Sequence, residues 1–416
     1  MPRLIQINGT ANWGSTGRIA EECNKVAQSK GWQTYFAYGR NSNPSQSYTY
    51  RVDNKWEVYA HYIENRLFDN EGLASRLATR RLVKKIREIE PDIIHLHNIH
   101  DHYLNFRILF EFLDQTKIKV VYTFHDFWAI TGGCFHFVDS DCLRWQTGCY
   151  DCPQKRSIVD RSDRNYKLKR EYIGGCKKII ITAVSEWVGN YISQSFLKNK
   201  DIFVIPNGVD TKIFQPSDAS SLLKSLNISE CLKDKFVIMG VSSQWKSESK
   251  GLNDYKAMSK LLQPDEMIVL VGIPNEVITE LPKNIVGIKR TNDQQELAAL
   301  YSRADVVTSL SSAETFGLTI IEGYACGTPA VVYDNTAPPS LITPETGFIA
   351  KNHNYKDAYA KIQQIKEKGK SHYFAACVKL VREKYDKQKC FAQYLKLYDE
   401  LLKTSLQIDM LYLEHQ

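Results

Sequence analysis

Short runs rich in Ile and Val alternate along most of the chain with longer segments whose apolar residues recur at helical spacing. Strands that are apolar on both faces and separated by helix-length segments indicate parallel sheets covered by helices on both sides. The pattern therefore predicts an α/β fold with two doubly wound, Rossmann-like domains. The strand-like runs are "RLIQIN", "DIIHLH", "KVVYTFH", "KIIITAVS" and "IFVIPN" in the first half, and "FVIMGVSS", "MIVLVG", "NIVGIK", "DVVTSLSS" and "PAVVYD" in the second.

The alternation is interrupted near the middle of the chain, in the stretch "IPNGVDTKIFQP", where proline and glycine break the regular pattern. A chain of 416 residues is also too long for one ordinary core and suits two domains of similar size. Near the end, "FAQYLKLYDELL" has the spacing of an amphipathic helix. We therefore expect an N-terminal domain over 1–205, a C-terminal domain over 206–385, and a helical segment over 386–416 that packs across both.

Composition identifies a folded globular protein, because 43% of the residues are hydrophobic and 24% are charged, without low-complexity tracts. No apolar run approaches the length needed to cross a bilayer, and "MPRLIQINGT" leads directly into a strand-like segment. We expect a cytoplasmic protein. The net charge of +7 is mild for this length, and no nucleic-acid-binding motif accompanies it, so nucleic acid is not an expected partner.

Two segments are nevertheless rich in Arg and Lys, residues 76–90 and 155–170. A solvated helix face is the ordinary explanation for the first of them. The sharper explanation is attraction to a diphosphate-bearing acceptor or to an anionic membrane, with the protein peripheral at the inner face of that membrane. In 76–90 the predicted buried stripe is Leu77, Val83, Ile86 and Ile89, and the residues left outside are Arg80, Arg81, Lys84, Lys85 and Arg87.

The stretch "SAETFGLTIIEGYACGTP" places two carboxylates around an apolar run with helical spacing, Glu314 in the entering loop and Glu322 inside the helix. A helix start carries free backbone N–H groups and partial positive charge, and Gly317 would let an anion such as phosphate approach them. The carboxylates are then best explained as acceptors for hydroxyl groups, which a sugar and a ribose both supply. This combination describes a nucleotide sugar. The alternative makes Glu314 a helix-start charge and Glu322 a surface residue.

Two further candidates follow predicted strands, at the edge where parallel sheets bind ligands. The loop "NGTANWGSTGR" after the first strand lacks the ending of a phosphate-binding P-loop and does not fit the dinucleotide fingerprint. It is either a tight turn or a place where Gly14 lets a ligand approach the backbone. His125 follows "KVVYTF", and a histidine there is either structural or part of a site.

Four of the ten cysteines, Cys134, Cys142, Cys149 and Cys152, lie in one short insert over about 132–153. The Cys149-x2-Cys152 pair suits one edge of a tetrahedral zinc site that the other two would complete, so a structural zinc ion is expected. Free thiols and a disulfide formed on oxidation are the alternatives, and His136 could replace one cysteine as a ligand. Because the insert follows His125, we expect it to shape the acceptor side of the cleft.

Together these segments resemble the retaining glycosyltransferases of family four, the glycosyl transferases group 1 with the GT-B fold. Within this family the chain looks closest to the enzymes that build bacterial surface polysaccharides, of the colanic acid, capsule or O-antigen type. The resemblance implies two Rossmann-like domains that face a central cleft, with a C-terminal helix that crosses back. Its matching parts are the early glycine loop, "TFHDFWAITG", "IPNGVD", "SKGL", "LAALYSRADVVTSLSSAETFGLTIIEGYACGTPAVV" and "TGFIA".

The resemblance assigns roles to the C-terminal candidates. Glu314 would hold hydroxyls of the transferred sugar, and Glu322 the ribose hydroxyls. Lys250 would neutralise the diphosphate as the leaving group gains charge. Backbone N–H groups around Phe316, Gly317 and Leu318 would meet the sugar and the diphosphate.

It also implies that Gly14 closes over the phosphates and that His125 faces the sugar. Backbone around Gly287 and Ile288 would contact the base, with UDP favoured over GDP. His125, Lys250 and Glu314 are thus the expected catalytic residues, and no metal or other cofactor is expected for catalysis. The implied reaction moves a sugar, with retention, from a UDP- or GDP-sugar to a glycan or lipid-linked oligosaccharide acceptor.

One departure is visible in "VSSQWKSESKGL". The family usually places an arginine a few residues before the lysine, where this chain has Ser243, Gln244 and Trp245. Either Lys246 substitutes for that arginine or it points to solvent. This departure supports one rival, a protein that binds a nucleotide sugar without turning it over. The other rival is a different enzyme with the same fold, such as a nucleotide-sugar epimerase or a phosphorylase.

Overall fold

A computed structural model describes the backbone of residues 1–413 and the side chains up to Lys403. Residues 414–416 of the expected C-terminal segment lie outside the described residues. The contacts divide the chain into two compact units, one formed by Met1–Pro206 together with Cys390–Gln416, the other by Asn207–Lys389. We refer to them as unit 1 and unit 2. That the closing segment packs across both domains stays a prediction.

Unit 1 is built on a seven-stranded parallel sheet in which β1 and β4 are neighbours and the strand order is β3-β2-β1-β4-β5-β6-β7. The inner strands are buried on both faces, with Leu4, Ile5 and Ile7 of β1 at most 1% exposed. Continuous apolar runs of this kind are typical of parallel sheets covered on both sides. The strands are β1 (Arg3–Asn8), β2 (Gln33–Tyr38), β3 (Tyr48–Arg51), β4 (Ile93–Leu96), β5 (Lys119–Phe124), β6 (Ile179–Ala183) and β7 (Ile202–Val204).

Unit 2 repeats the scheme with a six-stranded parallel sheet in the order β10-β9-β8-β11-β12-β13. All ten strands predicted from the apolar runs are present. The strands of this sheet are β8 (Phe236–Val241), β9 (Glu266–Val271), β10 (Ile285–Ile288), β11 (Val306–Ser309), β12 (Ala330–Tyr333) and β13 (Gly347–Ala350). The expected α/β fold of two doubly wound, Rossmann-like sheets is therefore confirmed.

Helices connect nearly all the strands, as parallel strands require. In chain order the α-helices are α1 (Gly14–Gln28), α2 (Lys55–Phe68), α3 (Arg76–Ile89), α4 (Phe106–Asp114), α5 (Ser162–Lys169), α6 (Glu186–Ile192), α7 (Ser220–Ser225), α8 (Ser229–Leu232), α9 (Leu252–Met258), α10 (Asn275–Ile278), α11 (Gln294–Arg303), α12 (Leu318–Ala325), α13 (Tyr355–Lys368), α14 (Lys370–Leu380) and α15 (Lys387–Leu413). Among the helices of the described chain, none is both long and apolar enough to cross a membrane.

Helix α3 carries the first basic segment, and its buried stripe differs from the predicted one. Leu77 is 65% exposed and Val83 is only partly buried, whereas Leu82 and Ile86 are fully buried and Ile89 is 6% exposed. The prediction was wrong at Leu77, which lies in the first turn of the helix and is exposed there. Arg81 is ion-paired with Glu57 of α2 at 2.6 Å, so this cation is already occupied within the fold.

Candidate active site

Each sheet has one point at which the strand order reverses direction. In unit 2 the chain moves outward from β8 through β9 to β10, and then starts again on the other side at β11. In unit 1 the same reversal separates β1 from β4. Open parallel sheets bind ligands in the crevice beyond the carboxyl ends of the strands at such switch points. The segments that follow β8, β11, β1 and β4 are therefore the first places to look for a site.

After β11, a buried loop leads through Glu314 into helix α12, which begins at Leu318. Gly317 precedes the helix with φ of +107°, a conformation that side-chain-bearing residues rarely adopt. A Cβ at Gly317 would also lie 3.1 Å from Leu341 Cδ1. Phe316 is 5% exposed and Leu318 partly exposed. Glycine thus allows an abrupt entry into α12, whose first N–H groups lack partners within the helix and can donate to an anion.

The loops after β8 and β11 meet through an ion pair. Lys250 Nζ lies 2.6 Å from Glu314 Oε1, and it also donates to the carbonyl oxygen of Ala313 at 3.2 Å. The Lys250 side chain is 17% exposed and that of Glu314 30%. Ser312 N–H donates to Ser249 O at 2.8 Å and ties the two loops together directly. The predicted phosphate-binding cation and the predicted sugar-binding carboxylate are therefore direct partners at the switch point of unit 2.

Glu322 lies on the second turn of α12, where its Oε2 accepts a hydrogen bond of 2.9 Å from the hydroxyl of Tyr301. Tyr301 is fully buried, and burial together with the nearby Glu322 carboxylate raises its pKa well above the usual value. The phenol therefore remains protonated and donates. Because one carboxylate oxygen is held in place, the orientation of the Glu322 side chain is fixed before any ligand arrives.

The segment that departs from the family pattern has a structural role in this chain. Trp245 is 3% exposed, and its indole N–H donates to Val271 O at 2.9 Å. Lys246 forms an ion pair with Glu276 at 2.5 Å, and both side chains are mostly exposed. Ser243 and Gln244 are exposed and carry no charge. Lys250 is therefore the cation that this segment brings to the switch point.

Ile288 is the last residue of β10 and is 6% exposed. Its carbonyl oxygen accepts hydrogen bonds from the N–H groups of Gly272 and Ile273, at 2.9 and 3.1 Å. It thus lies at the carboxyl edge of the same sheet as Lys250 and Glu314, where backbone contacts to a base were expected.

In unit 1, the loop after β1 ends at Gly14, the first residue of α1. Gly14 has φ of +68°, and a Cβ built there would meet no atom within 4 Å. The glycine is therefore required by backbone conformation and not by crowding. The space in front of it is open, and a ligand contact at Gly14 stays a prediction.

His125 follows β5 and belongs to a buried hydrogen-bonded row with His97 and Gln6. His97 Nε2 lies 2.7 Å from Gln6 Oε1, and His97 Nδ1 lies 2.9 Å from His125 Nε2. Burial lowers the pKa of His97 well below its usual value and that of His125 to about 4, the latter despite the nearby Asp126, so both rings are neutral. The amide oxygen of Gln6 can only accept, so His97 carries its proton on Nε2. His125 then donates from Nε2, and its Nδ1 is the accepting nitrogen.

A second, charged histidine lies beside this row. His100 Nε2 is 2.8 Å from Asp126 Oδ2, and His100 Nδ1 is 3.4 Å from Asp101 Oδ1. Burial alone would lower the pKa of His100, but these two carboxylates outweigh it and raise the pKa to about 10. Asp101 is also ion-paired with Arg40 at 2.8 Å. The segment after β4 thus holds a fixed imidazolium next to neutral His125.

The expected zinc site in the cysteine insert is not supported. Among the residues that the structure describes, no group of three or more His, Cys, Asp or Glu side chains could hold a metal ion. Cys134, Cys142, Cys149 and Cys152 line one small cavity, but they form no disulfide. Burial raises the pKa of Cys134 to about 12 and that of Cys149 to about 11, so the free thiols are protonated at neutral pH.

A buried lysine anchors the start of the insert. Lys169 of α5 is fully buried, and its ammonium donates to the carbonyl oxygens of Trp128 and Thr131 at 2.7 and 3.1 Å. The same ammonium lies 3.5 Å from the centroid of the Trp128 ring. These contacts hold the chain that follows His125 against α5.

Sequence reasoning missed Tyr301, His97 and Gln6, which orient the predicted residues. His97 and His100 had a visible signal, since "HLHNIHDH" follows a predicted strand and concentrates histidines at the carboxyl edge of the sheet. Tyr301 had none, because only the packing of α11 against α12 brings its hydroxyl to Glu322.

Comparison with known proteins agrees with this geometry. Residues 18–213 match the family described as Glycosyltransferase Family 4, and residues 232–377 match Glycosyl transferases group 1. The putative colanic acid biosynthesis glycosyl transferase WcaC of Escherichia coli K12 is 21% identical over 96% of this chain and 100% of its own length. These matches cover both units.

Two other similar proteins carry more specific names. The N,N'-diacetylbacillosaminyl-diphospho-undecaprenol alpha-1,3-N-acetylgalactosaminyltransferase of Campylobacter jejuni is 27% identical over 53% of this chain and 60% of its own. The structure of HepE from Anabaena in complex with UDP-glucose superposes with a TM-score of 0.66 at 15% identity, over 97% of this chain and 99% of the other. The chain is therefore a glycosyltransferase with the GT-B fold, a member of family four, the glycosyl transferases group 1.

Proposed function

We propose that this enzyme transfers a sugar, with retention of anomeric configuration, from a nucleotide sugar to a glycan acceptor. The observation that carries the proposal is the Lys250–Glu314 ion pair at the switch point of unit 2, beside the start of α12. The Lys250 ammonium and the start of α12 can bind the negatively charged diphosphate of such a donor. The Glu314 carboxylate can accept hydrogen bonds from its sugar hydroxyls.

In this proposal each element of unit 2 meets one part of the donor. The N–H groups at Phe316, Gly317 and Leu318 bind the diphosphate and the sugar, and Glu322, held by Tyr301, accepts from the ribose hydroxyls. Backbone at Ile288 contacts the base. Glu314 accepts from hydroxyls of the transferred sugar and so positions it.

The reaction breaks the bond between the anomeric carbon and the diphosphate oxygen and forms a bond from that carbon to an acceptor oxygen on the same face. The departing phosphate oxygen takes the acceptor's proton, so no protein nucleophile is required. Lys250 stabilises the charge that develops on the diphosphate. The ammonium already touches Glu314, so it links the sugar-holding carboxylate to the leaving group. Lys250 and the helix start supply the positive charge, and the proposal includes no catalytic metal or other cofactor.

We assign recognition of the transferred sugar to His125 and of the diphosphate to Gly14. The neutral His125 ring, whose Nε2 donates to His97, can accept as well as donate hydrogen bonds, as recognition of a sugar hydroxyl requires. A charged ring at this position would be a donor only. The low pKa of His125, about 4, therefore fits a role in hydroxyl recognition across the physiological range.

We propose a UDP-sugar donor and a lipid-linked oligosaccharide acceptor in surface polysaccharide biosynthesis, with the enzyme on the cytoplasmic side. The UDP-glucose complex of HepE supports UDP over GDP. The Campylobacter relative, named for a diphospho-undecaprenol acceptor, supports a lipid-linked one. The colanic acid relative, which matches over its full length, supports the polysaccharide pathway class.

Calorimetric titration of UDP, GDP and ADP tests the donor site. We expect UDP to bind, and binding to be lost in Glu322→Ala. A turnover assay with UDP-sugars and a lipid-diphosphate-linked acceptor then separates transfer from mere binding. Nucleotide binding without release of UDP would favour a binding protein, the rival that Trp245 in place of the usual arginine suggests. Change of the donor sugar without transfer would favour an epimerase.

A further inference from the structure

Helix α2 of unit 1 is amphipathic, but its apolar face points to solvent and its polar face packs against the protein. The exposed side chains follow one face at helical spacing, and most are large and apolar or aromatic. We call this the outer face of α2. Its members and their exposed fractions are Trp56 (82%), Tyr59 (59%), Tyr62 (44%), Ile63 (38%) and Leu67 (39%).

The opposite face of α2, which packs on the protein, is polar and fully engaged. His61 is 1% exposed and its Nδ1 lies 2.8 Å from Ser75 Oγ, while Asn65 Nδ2 lies 3.0 Å from His102 Nε2. Burial lowers the pKa of His61 to about 3, so this ring is neutral. The helix cannot rotate to bury its apolar side without breaking these contacts. Its orientation is therefore fixed.

The charges of α2 are also sorted between the two faces. Both acidic residues are on the inner side, where Glu57 pairs with Arg81 at 2.6 Å and Glu64 pairs with Arg76 at 3.1 Å. A capping box, in which Asn54 and Glu57 exchange hydrogen bonds, fixes the helix start. The cations Lys55 and Arg66 are exposed beside the apolar side chains. The outer face thus combines aromatic and apolar groups with positive charge and lacks carboxylates of its own helix.

The patch extends beyond α2 onto a neighbouring loop with the same character. Ile158 is 72% exposed, and its N–H donates to Arg66 O at 2.8 Å, which joins the loop to the end of the helix. Val159 is 40% exposed, and Lys155 and Arg156 beside them are exposed cations. Asp160 turns inward and accepts from the backbone N–H of Cys152 and Ser162.

We infer that the outer face of α2, with the loop at Ile158, docks on the surface of an anionic lipid bilayer. Trp and Tyr prefer the interface between headgroups and acyl chains, and Lys and Arg beside them bind acidic headgroups. A second copy of the chain is disfavoured as the occupant, because antiparallel packing of two α2 helices would bring Lys55 of one copy towards Arg66 of the other. This surface is not the basic segment of α3 that the sequence suggested for membrane contact. In that segment Arg81 is already ion-paired with Glu57.

Co-sedimentation with vesicles tests this docking without donor or acceptor, so it can succeed or fail independently of the proposed transfer reaction. We expect the protein to bind vesicles of phosphatidylglycerol and phosphatidylcholine in equal parts, and to bind pure phosphatidylcholine much more weakly. The triple variant Trp56→Gln/Ile63→Gln/Leu67→Gln should lose at least about tenfold in affinity, since three apolar side chains no longer enter the bilayer. Lys55→Gln/Arg66→Gln should lose about fivefold per charge at low salt.

The matched control is Phe203→Gln, because Phe203 is 44% exposed on β7, at the opposite edge of the sheet from β3. It should bind vesicles like the wild type. On vesicle addition, Trp fluorescence should shift to the blue in the wild type, and Trp56→Phe should remove most of the shift.

Two results would overturn the inference. One is a triple variant that folds, as judged by its melting temperature, and binds vesicles as tightly as the wild type. The other is a wild-type dimer in sedimentation that the triple variant converts to monomer, which would identify a second copy as the occupant.

Discussion

Replacing Tyr301 by Phe tests whether Glu322 is held in place for a ligand. The change deletes the hydroxyl that donates to Glu322 Oε2 at 2.9 Å and leaves the buried ring unchanged. A hydrogen bond to a charged group contributes about 1.5–3 kcal/mol. Because Glu322 is partly exposed and water can solvate its carboxylate, we expect the lower end, about 1.5 kcal/mol. Without this hydrogen bond Glu322 gains rotamer freedom that binding must remove, which should weaken UDP affinity roughly fivefold, or about 1 kcal/mol.

Tyr373 provides the matched control. It is also fully buried in unit 2, but within the described part of the chain its hydroxyl has no hydrogen-bond partner. Tyr373→Phe should therefore be neutral or slightly stabilising, with unchanged UDP affinity. Scanning calorimetry with and without UDP, together with isothermal titration, measures both effects. Equal behaviour of the two Tyr→Phe variants in both assays would refute the reasoning.

Three further changes test other parts of the structure. Lys250→Met should lower kcat/KM by about a hundredfold to a thousandfold, as loss of a charge-stabilising donor does; initial rates of UDP release measure this, and a loss under tenfold would contradict the assigned role. Gly317→Ala should destabilise unit 2 by about 1–3 kcal/mol because of the positive φ of this residue and the contact of the added Cβ with Leu341. The control Gly175→Ala should be tolerated, since Gly175 has a negative φ and open space around it, and urea unfolding compares the two variants. The pKa of His100 is about 10 in the folded protein, against 6.5 in the unfolded chain, so the charged ring stabilises the fold fully below pH 6.5 and this stabilisation is lost as pH rises towards 10. The difference in unfolding free energy between wild type and His100→Gln should therefore shrink between pH 6.5 and 10. A constant difference would contradict the buried ion pair.

Strand prediction from apolar runs found ten of the thirteen strands, including β7, whose side chains are partly or fully exposed. It missed β2 and β3, "QTYFAY" and "YTYR", which are rich in Tyr and Thr instead of Ile and Val. β3 is an edge strand with mostly exposed side chains, so burial imposes no apolar pattern on it. It also missed β13, the other edge of the second sheet.

The sequence indicated which residues belong to the candidate site but not which of them contact each other. Glu314, Gly317 and Glu322 could be placed because loop, cap and helix are neighbours along the chain. The Lys250–Glu314 pair joins residues 64 positions apart, so only the pairing of β8 with β11 creates it. The outward orientation of the apolar face of α2 could not be predicted for a similar reason, since the hydrogen-bond partners of its polar face lie on other segments of the chain. The zinc prediction was unsupported although the four cysteines line one cavity, because spacing along the chain does not determine the geometry that a metal ion requires.

The last helix has a consequence for how the protein is made. Tyr398 lies 2.6 Å from His95 Nδ1, and the Tyr394 hydroxyl lies 3.2 Å from that of Thr123, so α15 completes the polar interior of the first sheet. His95 and Tyr398 are 303 positions apart. At about 5–20 residues per second, a ribosome needs on the order of tens of seconds to span that interval. The first unit therefore emerges early but stays unfinished until α15 has been translated, which makes nascent chains stalled before α15 natural clients for chaperones.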